Sequence, residues 1–153
     1  MAAHLYWRLN ITANNGDPDY LAITEVEMRA TTGGADQCNG GISSASSNYP
    51  SYVAANAFDN DANTAWITGT AITTGILTYQ FSSAVDVLQY TIQITVSQVR
   101  APKNWTLQWS DNGTAWTTAD TRAGVTDWLS NGIKTFNVPV AASTARSQVF
   151  VCT

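Results

Sequence analysis

The sequence predicts an all-β protein built as an antiparallel sandwich or barrel. Apolar and polar residues alternate with a period of two in many short runs. Turn residues punctuate those runs, and no amphipathic helical pattern of useful length interrupts them.

Leu5, Trp7, Leu9 and Ile11 alternate with Tyr6, Arg8, Asn10 and Thr12, the pattern of a strand with one buried face. Asn14-Asn15-Gly16-Asp17-Pro18 reads as a turn. A second strand runs over 21–29, where Val26 and Met28 oppose Glu25, Glu27 and Arg29. Leu21 and Ile23 fall on the other parity and point to a bulge. The Gly-, Ser- and Asn-rich stretch 31–52 reads as loop with one short strand, and 53–58 as a single helical turn. Leu77, Tyr79 and Phe81 share a face, as do Leu88, Tyr90, Ile92, Ile94 and Val96. Trp105, Leu107 and Trp109 lead into the hairpin signal Ser110-Asp111-Asn112-Gly113, with Trp116 on the return. Phe136 and Val138 mark a further strand, and 148–152 a last one. Trp7, Trp105 and Trp109 read as core. With no Pro- or Ser-rich linker to divide it, the chain of 153 residues reads as one β-domain over 1–153.

Composition narrows the function. Charged residues are 12% of the chain against 44% apolar, the reverse of the balance in a disordered segment. A net charge of −4, a pI near 4.6 and scattered basic residues argue against a nucleic-acid binder. The start, Met1-Ala-Ala-His-Leu-Tyr-Trp-Arg8, places a charge where the apolar core of an export signal belongs, so no signal peptide is expected. The long uncharged stretch 62–85 is too rich in Thr, Ser, Asn and Gln for lipid, so membrane insertion is not expected. Cys38 and Cys152 read as two free or buried thiols, or as one bridge tying the last strand to a loop; their spacing does not suggest zinc.

The chain shows no GxSxG elbow, HExxH pair or phosphate-binding loop. Its single histidine, His4, stands near the N-terminus, where chains fray. The acidic residues sit mainly in turn contexts, as in Asp17-Pro18 and Asp111-Asn112-Gly113, where carboxylates close Asx-turns. The chain therefore reads as a protein without catalytic activity. The most informative stretch is Ala54-Ala-Asn-Ala-Phe-Asp-Asn-Asp-Ala-Asn-Thr-Ala-Trp66, a dense run of oxygen donors between Phe58 and Trp66. It suits either a hard cation, which takes six to eight oxygens at about 2.3–2.6 Å, or a tight loop whose side chains cap backbone N–H groups.

Ser43-Ser-Ala-Ser-Ser47, Ala55-Asn-Ala-Phe-Asp59 and Thr64-Ala-Trp66 together resemble the opening of the discoidin family, the galactose-binding-like or coagulation-factor type C domains. The run from Pro102 to Trp116 resembles that family's central hairpin. Tyr6-Trp-Arg-Leu-Asn-Ile11 with Ala22-Ile-Thr-Glu-Val-Glu27 resembles its closing strands. The resemblance spans about 5–138, with the closing strands placed first, a permuted order that a compact domain with neighbouring termini tolerates. Residues 139–153 are left as a C-terminal extension or edge strand.

The resemblance implies an eight-stranded jelly-roll sandwich that binds through loops at one end. It also implies a structural calcium ion, with Asp59, Asp61, Thr64, loop carbonyls and Glu25 as candidate ligands. For a sugar, which needs aromatic faces and planar polar partners, the loop-like residues Tyr49, Tyr52, Arg100, Trp128 and Asn131 are the candidates; the two tyrosines read equally as loop anchors. The wording of residues 6–28 is similar to discoidin-type modules of tailed bacteriophages. That similarity implies a virion protein, oligomeric or part of a larger assembly, which binds a glycan or host-surface polysaccharide on a tail or fibre. The alternative is a capsid decoration protein whose low-charge, Thr-rich surface packs against other subunits. A lipid-headgroup reading would need apolar loop spikes, for which only Ile42 and Ile72 qualify.

Overall fold

In the computed structural model, residues 2–140 are described. Strands β1 (His4–Asn14), β2 (Ala22–Ile23), β3 (Glu25–Arg29), β4 (Ile42–Ala45), β5 (Trp66–Ile67), β6 (Gly75–Val85), β7 (Gln89–Ile94), β8 (Pro102–Ser110), β9 (Thr117–Arg122) and β10 (Gly132–Asn137) follow one another. Short 3-10 turns at Ala54–Ala57 and Gln98–Arg100 are the helical elements among the described residues. The strands form a five-stranded sheet in the order β4-β6-β1-β8-β9, a three-stranded sheet β10-β7-β3 and a β2-β5 ribbon. Every strand pairing is antiparallel. The two larger sheets supply the eight strands expected of the sandwich.

The alternation in the sequence becomes the inner face. Trp7, Leu9 and Ile11 of β1 lie opposite Tyr79, Leu77 and Gly75 of β6, and opposite Trp109, Leu107 and Trp105 of β8. Facing them across the core, Val26 and Met28 of β3, Tyr90, Ile92 and Ile94 of β7, and Phe136 of β10 belong to the same buried cluster. Burial of this kind contributes about 25 cal/mol per Å² of apolar surface removed from water. A buried polar chain crosses this core. The Trp105 indole donates to the Tyr90 hydroxyl (3.0 Å), which donates to Asp120 (2.8 Å), and Asp120 is paired with Arg122 (2.7 Å). Burial, then the Asp120 charge, pushes the Tyr90 phenol up, so it stays a neutral donor.

Several expectations are refined. The strand read over 21–29 breaks at Thr24 into β2 and β3, because β2 pairs β5 while β3 pairs β7. The alternation of β7 is bounded by Gln89 and Ile94, leaving Leu88 and Val96 outside it. Trp7 and Trp105 are buried as expected, whereas Trp109 is half-buried. His4 is not frayed: it is 5% exposed, stacks on Trp109 at 3.5 Å and bonds Asp111 through Nδ1 at 2.8 Å. Ring stacking and a carboxylate partner hold the first residue of β1. Cys38 is a free, buried thiol. Cys152, the strand expected over 148–152 and most of the extension read over 139–153 lie outside the described residues. No helix among the described residues is long and apolar enough to cross a membrane.

Register fixes which loops share an end. Asn14 pairs Pro102, Ile11 pairs Gly75, Ala45 pairs Leu77, Glu25 pairs Gln93 and Gly132 pairs Ile94. The segments after β1, β4, β5, β7 and β9 therefore emerge together.

Candidate functional site

The segment between β4 and the first 3-10 turn builds the centre of this end. In Tyr49-Pro50-Ser51-Tyr52 the Tyr52 N–H donates to the Tyr49 carbonyl at 3.0 Å, and Ser51 has φ +68°. Proline followed by a left-handed residue is the chemistry of a type II turn, and it sets the two tyrosine rings 6.1 Å apart. The turn is clamped to β5: Tyr49 N–H donates to the Ile67 carbonyl (2.7 Å), and Ile67 N–H donates to the Tyr52 carbonyl (3.2 Å). Asn56, from the Ala55–Asp59 motif, uses its amide nitrogen on the carbonyls of Ser51 (3.1 Å) and Ala65 (3.0 Å). Trp66 and Gly69 secure the approach to the turn through Ser47.

Two further segments close a pocket over these tyrosines. The turn after β1 delivers Tyr20, whose ring lies edge-on to Tyr49 at 5.9 Å. The 3-10 turn after β7 delivers Arg100, with its guanidinium 4.7 Å from the Tyr20 ring centre and its Nε donating to Asp17 at 3.0 Å. Tyr20, Tyr49, Tyr52, Ile67 and Arg100 line a cavity of about 230 Å³. The rings supply C–H-stacking faces, the hydroxyls and the guanidinium supply polar partners, and the Tyr49 and Tyr52 side chains stand exposed. Burial alone would raise the Asp17 carboxyl. The N–H groups of Asp19 and Tyr20, with the Arg100 guanidinium, outweigh it and hold that carboxyl below its ordinary value.

The structure thus brings Tyr49, Tyr52 and Arg100 together and separates Trp128 and Asn131 from them. Trp128 is 6% exposed and spends its indole N–H on the Pro102 carbonyl at 2.9 Å. It borders a separate depression of about 160 Å³ with Asn15, Gln98, Val99 and Asp127. Asn131 occupies an exposed left-handed turn position, φ +59°, ahead of β10. Tyr20 and Ile67 are the lining residues the sequence reading missed. An aromatic residue directly after a dense turn signal was the available clue to Tyr20; nothing marked Ile67, which lies in a two-residue strand.

The cation candidates also divide. Glu25 opens β3 with 5% exposure, and its Oε2 is buried without a hydrogen-bond partner. Burial, and next the charge of Asp59, raise its carboxyl to about 7, against the opposing N–H groups of Val26 and Asn60. Asp59 accepts from the Thr64 hydroxyl (2.8 Å) and the Asp61 N–H (2.9 Å). Asp61 is engaged locally, accepting from the Asn63 backbone (2.9 Å) and amide (2.7 Å). No set of three or more His, Cys, Asp or Glu side chains among the described residues is gathered as for a metal. The unpartnered buried oxygen of Glu25, within reach of the Asp59 charge, is the kind of donor a hard cation would satisfy. Glu25 and Asp59, with Thr64 orienting Asp59, are the side chains that would hold one.

The sequence profile of the F5/8 type C domain matches residues 42–150. Strands β1 to β3 precede the matched segment, yet β1 is the central strand of the larger sheet, between β6 and β8. Neither a curated protein nor a solved structure matches the chain. Domains of the matched family are in general binding modules rather than enzymes. With the profile covering most of its length and the antiparallel sandwich in place, the chain belongs to the F5/8 type C, or discoidin, family.

Proposed function

We propose that this chain is a non-catalytic carbohydrate-binding domain that takes a glycan into the pocket of Tyr20, Tyr49, Tyr52 and Arg100. The convergence of three aromatic rings and one anchored guanidinium from three separate loops carries this reading. A sugar ring lies against the exposed tyrosine faces, and its hydroxyls meet the terminal nitrogens of Arg100. Glu25, Asp59 and loop carbonyls would hold a calcium ion, which would supply the positive counter-charge that the buried Glu25 carboxylate lacks and would rigidify the loop beside the pocket. The whole chain forms one discoidin-like unit in which β1 stands in the place of a closing strand, a permuted order.

The similarity of residues 6–28 to phage modules supports a place on a tailed-phage virion, where weak single sites displayed in many copies gain avidity. A glycan array probed with multivalent protein tests the reading, followed by titration of the best sugar against Tyr49→Ala and Arg100→Ala. Specific binding weakened about tenfold in both variants is the expected result. A silent array, with stoichiometric attachment of the protein to capsids, would replace the reading with capsid decoration.

A further inference from the structure

The outer face of the five-stranded sheet carries a second constellation, remote in register from the loop pocket. Cross-strand pairing aligns Ser44, Thr78, Arg8, Gln108 and Thr118 in one row across β4, β6, β1, β8 and β9. At about 4.8 Å per strand the row spans about 19 Å. Neighbouring rows add Gln80 and Tyr6 on one side, Asn10 and Thr106 on the other. Arg8 is the single charge among these positions, in a chain of net charge −4.

Arg8 differs from the other described arginines. Arg29, Arg100 and Arg122 are each paired with a carboxylate. Arg8 has no such partner among the described residues. Its Nε donates to the Gln108 Oε1 at 2.7 Å, and its guanidinium carbon lies 4.0 Å from the Trp116 ring centre. The two terminal nitrogens are therefore left open, while stacking and the Gln108 bond fix the plane of the fork. Partial burial draws the guanidinium down from its ordinary value, the direction expected of a cation short of a counter-charge.

We propose that this face is a second binding site, for a strand of carboxylate-bearing polysaccharide, with one carboxylate bidentate on Arg8 and neighbouring hydroxyls on the amide and hydroxyl rows. A pre-positioned guanidinium fork matches a carboxylate. The flanking Asn, Gln and Thr side chains match sugar hydroxyls, and the half-buried Trp116 and Tyr6 offer aromatic edges. A protein partner would call for an apolar centre; the apolar members of these rows, Ile42 and Ile76, stand toward the β4 side. An anionic membrane would call for several cations or apolar spikes, and the aligned positions named above hold one cation.

Affinity electrophoresis of the whole chain through polygalacturonate and through hyaluronan tests the proposal. The parent protein should be retarded by at least one of them. Fully methyl-esterified pectin in place of polygalacturonate should weaken binding about tenfold or more. Arg8→Gln should match that loss at unchanged melting temperature, with Arg8→Lys between. Tyr49→Ala, which alters the loop pocket, should be retarded like the parent. No retardation by either polymer overturns the proposal, as does Arg8→Gln binding like the parent. Equal, Arg8-dependent retention by dextran sulfate or by phosphatidylserine vesicles would show an unselective anion site and also overturn it. Loss of binding in Tyr49→Ala would assign the polymer to the loop pocket instead. Should Arg8→Gln misfold, the ester comparison on the parent protein still decides.

Discussion

Asp17 holds Arg100 by its inner nitrogen, Oδ2 to Nε at 3.0 Å, so the outer nitrogens of the guanidinium remain open toward the tyrosine pocket. The carboxylate is itself committed. Its Oδ1 accepts the N–H groups of Asp19 (2.9 Å) and Tyr20 (2.8 Å), which ties the position of Arg100 to that of the Tyr20 ring. Arg100→Ala and Tyr49→Ala should each weaken glycan binding about tenfold, near 1.4 kcal/mol, and leave the melting temperature within about 2 °C. Asp17→Ala should lower both affinity and stability, because it frees the turn as well as the guanidinium. Isothermal titration with the array-selected sugar, beside thermal melts, separates the two effects; equal melts for Asp17→Ala and Tyr49→Ala would refute the anchoring role.

Glu25 gives the chain a pH dependence opposite in sign to that of Asp17. Its folded-state value of about 7 lies above the ordinary carboxylate value of 4.5. The native state therefore holds the extra proton between those limits, and stability falls as pH rises through that window. The loss has an upper bound of about 3 kcal/mol. Asp17, held low, contributes stability above its ordinary value that is lost as pH falls through its folded one. With chelator present, the melting temperature should drop by several degrees between pH 5 and about 8. Calcium at a hundredfold excess over its dissociation constant should restore about 2.7 kcal/mol and flatten the slope. Glu25→Gln should remove both the slope and the calcium response. A parent protein whose melt ignores pH, chelator and calcium alike would dismiss the site.

The Trp105–Tyr90–Asp120 chain shows what a buried polar network demands. Tyr90→Phe leaves the Trp105 N–H without its acceptor and Asp120 without one donor, in a place shut off from water. The expected cost is about 1–3 kcal/mol, read as a lower urea midpoint with an unchanged slope. A Phe variant as stable as the parent would mean that water or side-chain movement replaces the lost bonds.

The strands with the strongest alternation, β1, β6 and β8, were legible because a period-two pattern needs several repeats to stand out. β5, with Trp66 and Ile67 alone, offers no period, and β2 is as short. Such strands exist through pairing between distant segments, and local sequence does not encode that pairing. The site followed the same rule. Tyr49, Tyr52 and Arg100 were recognisable as polar-tipped or charged residues in loop-like stretches, and topology gathered them. Trp128 looked alike in sequence, but the Pro102 carbonyl 26 residues away takes its indole N–H and draws the ring inward. Glu25 became a candidate only through the resemblance, since in sequence it is distant from Asp59 and the fold brings it within reach of that charge.

Asn56 joins the loop motif to the pocket, and its two amide hydrogens serve different carbonyls with different access to water. Ala65 is 2% exposed, so its carbonyl has no ready substitute for the Asn56 donor, whereas the Ser51 carbonyl sits in an exposed turn and can turn to solvent. Asn56→Asp keeps the shape of the side chain but puts an acceptor against both carbonyls. The stability cost should be set mainly by Ala65, at about 1–3 kcal/mol. The looser Tyr49–Tyr52 turn should show separately, as a several-fold fall in glycan affinity at temperatures where the variant is fully folded. Asn63→Ala is the control, since its amide bonds only the exposed Asp61 and should leave the tyrosine turn intact. If Asn56→Asp binds the sugar as tightly as Asn63→Ala does, the turn keeps its shape without Asn56, and the Tyr-Pro-Ser-Tyr sequence with its clamp to Ile67 positions the rings unaided.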